Sequence, residues 1–92
     1  MSDIDEKIEE CIAEIGRYRE YSPEIEVRID QLRKLKEALK NIDDSSLKDL
    51  LTKVRDGYEE SLHYSGFIPK TVRNLRFILE WLEKKKECSH MP

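Results

Sequence analysis

Glycine and proline are scarce in this chain, three of each in 92 residues. That excludes a collagen-like or Pro-rich polymer and a flexible Gly/Ser-rich chain. No run of about 18 apolar residues occurs, so no transmembrane helix and no membrane partner are expected. Two cysteines, Cys11 and Cys88, are too few for a disulfide framework. The opening MSDIDEKIEE is acidic and has no apolar stretch, so it does not read as a secretory signal. Reduced thiols and a cytoplasmic location are the expectation. The length allows one domain with one thin core, a size at which homodimerisation is a common reinforcement.

Residues that carry chemistry are equally sparse. The histidines are His63, at the end of an apolar-periodic segment, and His90, near the C-terminus. Neither cysteine has a histidine beside it on a predicted rigid element. Cys88 and His90 give two metal ligands where three or four are needed, so no metal site is expected. The acid pairs Glu9-Glu10, Asp43-Asp44 and Glu59-Glu60 are adjacent. On a helix, neighbours point about 100° apart and form no carboxylate dyad. The glycines are scattered, so there is no phosphate loop and no cofactor is expected.

What the chain does have is helical periodicity. Ile4, Ile8, Cys11, Ile12 and Ile15 share one face, extended by Tyr18, which predicts a helix over residues 3–20 behind a capping-box-like Ser2 to Asp5 start. Ser22-Pro23 restarts the chain, with Ser as cap and Pro at the first helical position. Ile25, Ile29, Leu32, Leu35, Leu39 and Ile42 then form the most regular stripe. After NIDDSS, with Asp44 and Ser45 as cap candidates, come Leu47, Leu50, Leu51, Val54, Tyr58 and Leu62. Asp56-Gly57 lies inside that stripe without alternating flanks, so it is read as helix rather than hairpin. Gly66 is expected to end the third helix in a left-handed conformation. Pro69 opens the last helix, lined by Val72, Leu75, Ile78, Leu79 and Leu82 and fading near Glu87. The fold class is therefore all-α, an antiparallel up-down four-helix bundle of two helical hairpins. It should be a single domain over residues 1–87 with a mobile tail at 88–92.

Ile15-Gly16-Arg17-Tyr18 and Ser22-Pro23-Glu24 resemble helical chorismate mutases. The resemblance implies a long N-terminal helix carrying several cations that converge on a dicarboxylate. Here Pro23 cuts that helix short, and residues 1–16 contain one cation, Lys7. The activity does not carry over, and the chain is expected not to be an enzyme.

Surface recognition remains. Charge is uneven: residues 1–22 are net −4 and residues 69–92 net +3. The first and last helices packing side by side would balance those fields. Alternatively the basic helix is a contact surface. His63 to Trp81 holds Tyr64, Phe67, Phe77 and Trp81, four of seven aromatics, beside Lys70, Arg73 and Arg76. Tyr, Trp and Arg dominate protein interfaces, and aromatics beside cations also suit single-stranded nucleic acid. Tyr64, Phe67, Lys70, Arg73, Arg76 and Trp81 are the candidate partner-binding residues. The expected function is that of a non-enzymatic protein-binding or regulatory bundle, of adaptor, inhibitor or antitoxin type. Nucleic-acid association through the basic last helix is the alternative.

The stripe of the second helix makes a direct prediction. Leu32→Ala should cost about 2–5 kcal/mol, and Val27→Ala, off the stripe, under about 1 kcal/mol. Urea melts that show equal losses at the two positions would contradict the assigned face.

Overall fold

The three-and-four spacing closes each segment into a helix. The computed structural model describes the backbone of residues 2–90 and the side chains of residues 3–87. Helix α1 spans Ser2–Gly16, α2 Glu24–Leu39, α3 Asp44–Leu62 and α4 Pro69–His90, with a short 3-10 turn at Arg19–Tyr21. No strand occurs among the described residues. Successive helices run antiparallel in an up-down four-helix bundle. Helix α1 lies against both α2 and α4, and α3 lies against α4.

The buried apolar residues are those of the stripes. Ile8, Cys11 and Ile15 come from α1, and Ile29 and Leu32 from α2. Leu47, Leu50, Leu51 and Val54 come from α3, and Leu75, Ile78 and Leu82 from α4. Val27 is 55% exposed, as its place off the stripe requires. Ion pairs join neighbouring helices at the surface: Lys36 to Glu9 at 2.8 Å, Arg55 to Glu83 at 3.4 Å, and Arg28 to Glu60. The hydrogen bond to Glu9 holds the Lys36 ammonium above its ordinary range. Such exposed pairs contribute about 0–1 kcal/mol each, so they select register more than they stabilise.

Helix ends depart from expectation in several places, three of them for a reason in the local hydrogen bonding. Helix α1 stops at Gly16 rather than residue 20, because Arg17 and Tyr18 donate to the carbonyls of Glu14 and Ile15, three residues back. That tightens the last turn into 3-10 geometry. The cap of α3 is Asp43, not Asp44 or Ser45. Its carboxylate accepts from the Ser46 N–H at 2.8 Å, while Ser46 Oγ accepts from the Asp43 N–H at 3.1 Å, a reciprocal capping box. The Ser46 N–H, then the Ser45 and Ser46 hydroxyls, hold the Asp43 carboxyl below the usual carboxylate range. Gly66 is not left-handed, and no described residue has a positive φ. Consecutive i−3 bonds from His63, Tyr64 and Ser65 turn the chain instead. Gly57 stays helical, and a Cβ there would meet nothing within 4 Å.

At its C-terminal end α4 continues through His90. Of the expected tail, Met91 and Pro92 lie outside the described residues, as do the side chains of residues 88–90. The side chain of Ser2 is outside them as well.

Helix α4 begins without a cap of its own. Ile68, whose carbonyl accepts from Val72 N–H at 3.1 Å, has no side-chain oxygen. Pro69 has no N–H to satisfy. The next two donors, Lys70 and Thr71, find the Glu14 carboxylate of α1 at 3.1 and 2.6 Å. Glu14 is buried, so a residue 56 positions away in sequence supplies the acceptor that a local Ser or Asp usually supplies. Truncation to Glu14→Ala strands the buried Thr71 N–H and the part-buried Lys70 N–H and should cost about 2–3 kcal/mol. Glu14→Gln keeps one acceptor and should cost less, and Glu9→Ala under about 1 kcal/mol. Urea melts giving Glu14→Ala no more than Glu9→Ala would refute the cap.

Candidate interaction surface at the loop end

Alternation of helix direction brings the α1–α2 connection, residues 17–23, to the same end of the bundle as the α3–α4 connection, residues 63–68. Tyr18 holds the two together. Its hydroxyl donates to the Phe67 carbonyl at 3.0 Å. Its ring meets Phe67 edge-on, with centroids 6.2 Å apart, and Tyr21 at a tilt, 6.1 Å apart. Ser22 is extended, as a residue before proline must be, and its Oγ accepts from Glu24 N–H at 3.2 Å. That turn throws Tyr21 outward.

The result is an apolar surface the core does not use. Exposure is 82% at Tyr21, 65% at Phe67, 55% at Tyr64 and 45% at Leu62. With Val27, one turn into α2, these are five of the six exposed large apolar residues; the sixth, Phe77, lies mid-bundle under the Lys7 ammonium.

The six candidate residues do not form one cluster. Tyr64, Phe67 and Lys70 lie at the loop end, with Arg73 one turn further along α4. Lys70 and Arg73 are exposed, and neither side chain forms an ion pair among the described residues. Arg76 pairs with Glu80 at 3.3 Å on its own helix. Trp81 is half-buried about 16 Å along the helix from Lys70. It floors a separate shallow groove of about 440 Å³ with Ile42, Asp43, Asp44, Leu47 and Lys84, and the Lys85 ammonium lies 4.7 Å from its ring. Tyr18 and Tyr21, which complete the loop-end surface, were absent from the sequence candidates. Tyr18 reads as an extension of the α1 stripe. The signal for the pair was their place against Ser22-Pro23, where a helix has to stop.

Helices α1 and α4 do pack side by side, but the cations of α4 are not what meets the acids of α1. Glu14 accepts from backbone, and Glu10 accepts from Asn74 Nδ2 at 2.9 Å, which also donates to the Lys7 carbonyl at 3.1 Å. Cys11, Glu14, Thr71 and Asn74 make a buried polar seam. Thr71 Oγ1, beside the Cys11 thiol, has no partner of normal geometry. Among the described residues no group of three or more His, Cys, Asp or Glu is placed to hold a metal, and no helix is long and apolar enough to cross a membrane.

No protein-family model, curated protein or solved structure matches this chain.

Burial pushes the Cys11 thiol up to about 11, against the opposing pull of Thr71 and Asn74 beside it. In the folded protein it should resist a thiol reagent at pH 8 and react only on unfolding. Because the thiol of an unfolded chain ionises near 9.0, this group's contribution to stability is whole below that pH and is lost as pH climbs toward 11. Comparing Cys11→Ala with wild type in melts across that window tests the sign. Rapid labelling of folded Cys11 would contradict its burial.

Proposed function

We propose that this bundle is a non-enzymatic protein-binding module, acting in the cytoplasm through the loop end. The observation that carries the reading is the gathering of exposed Tyr21, Val27, Leu62, Tyr64 and Phe67 at one end, outside a core that is complete without them. Exposed apolar clusters of this kind mark contact surfaces. Tyr18 presets the ring geometry by bridging both connections, which lowers the ordering cost of binding. The one described thiol, Cys11, is buried and protonated at neutral pH, which is unsuited to nucleophilic catalysis.

Nucleic-acid association is the second reading, favoured by the exposed and unpaired Lys70 and Arg73. Its electrostatic signature is steep salt dependence.

Affinity capture from the native host, with wild type and the Tyr21→Ser/Phe67→Ser double variant side by side, tests the first reading. The variant should melt within about 2 kcal/mol of wild type, since it touches no core residue. A protein held by wild type and lost by the variant is the expected result; identical recovery by both would overturn it. A labelled oligonucleotide shifted by wild type, but not by Lys70→Ser/Arg73→Ser/Arg76→Ser, with strong salt dependence, would establish the second reading instead.

A further inference from the structure

We propose that the loop end takes a short acidic segment carrying an aromatic or aliphatic anchor, a deepening that rests on the protein-binding reading above. The exposed apolar residues and the cations lie at the same end of the bundle. Lys70 and Arg73 stand three apart on α4, Phe67 lies in the turn just ahead of that helix, and Arg17 is the immediate neighbour of Tyr18. Arg17, Lys70 and Arg73 are exposed and carry no ion pair among the described residues, unlike Arg19, which is held by Glu26 at 2.8 Å. Of the loop-end acids, Glu26 and Glu60 are taken up by Arg19 and Arg28, Glu20 lies in the 3-10 turn, Glu24 opens α2 and Glu59 is near the end of α3, so none stands on α4 beside Lys70 and Arg73. An anchor seated on the rings would therefore place flanking carboxylates against unpaired cations.

Two features favour a short segment over a folded copy or a nucleic acid. The principal extents of 49 × 22 × 21 Å make the end of the bundle a narrow face, whereas a standard complex of folded proteins buries about 800 Å² of accessible surface per partner. Below Arg73 the α1–α4 face turns acidic, with Asp3, Glu6 and Glu10 around Phe77 against the single cation Lys7. A phosphate backbone following the basic strip would run into those carboxylates, whereas a short peptide ends before them.

Fluorescence anisotropy tests this with a labelled peptide of alternating Glu-Asp pairs and Phe or Leu. Saturable binding is expected, weakened by salt and lost when the acids become Gln and Asn. Either Lys70→Ser/Arg73→Ser or Tyr21→Ser/Phe67→Ser should reduce affinity by about ten-fold or more, with far-UV circular dichroism and a cooperative urea transition retained. No saturable binding, binding indifferent to both double variants, or displacement by oligo-dT would overturn the proposal. Should the peptide fail while capture from the host still depends on Tyr21 and Phe67, the acidic chemistry falls and the protein-binding reading stands. Should capture be indifferent to those residues while the peptide still binds, the reverse holds.

Discussion

The carboxylate of Glu14 sits where α4 presents its first two free N–H groups. It answers an electrostatic need that α4 cannot meet itself, because Ile68 and Pro69 at its start offer no acceptor side chain. Aliphatic contacts tolerate sliding, whereas buried hydrogen bonds to a charge do not. Moving α4 by one residue along α1 would leave a buried carboxylate and its two donors, one of them buried, unmatched, at several kcal/mol. Asn74, one turn further along α4, fixes the same register through Glu10 and the Lys7 carbonyl. Tyr18 lies one turn beyond Glu14 in sequence and reaches Phe67, just ahead of Pro69. Placement of the loop-end rings thus follows from the seam that fixes α4 on α1.

That seam also explains how the charge asymmetry is used. An acidic first helix beside a basic last helix invites the expectation of cross-helix ion pairs. The acids that face α4 instead accept from its backbone and from an amide, while its first cations remain in solvent. An anion at a helix N-terminus is favoured by the aligned peptide dipoles as well as by direct hydrogen bonds. Lys70 and Arg73 on α4 contribute little to that contact and stay exposed.

Helix number, order and the buried stripes were legible in the residues, since three-and-four periodicity reports which face leaves water. Ile8, Cys11, Ile29, Leu32, Val54, Ile78 and Leu82 all follow from it. The ends of helices were less legible. Asp43, Asp44 and Ser45 are all capable caps, and the choice of Asp43 turns on Ser46 standing three residues later to complete the reciprocal pair. The cap of α4 was hidden altogether, because its acceptor lies in a different helix and sequence spacing carries no information about that meeting. The same limit applied to the surface. Tyr64, Phe67 and Lys70 could be grouped by nearness in the chain, but Tyr18 and Tyr21 join them only through folding, and Trp81 is carried away by the rise of its own helix.

An exposed ring is normally a liability, and this end of the bundle holds several. Phe67 packs edge-on against Tyr18, so its orientation is fixed without burying most of its surface. Tyr21 leans on the same ring and stays more exposed still. Burial of either in the core would have required a longer helix and a wider bundle, yet the core is already closed by Ile15, Ile29 and Leu32 at or below 8% exposure. Rings held at set angles on a rigid platform lose little further freedom when another surface covers them. The cluster adds little to the core, is ordered by a hydrogen bond across two connections, and shares its end of the bundle with exposed cations.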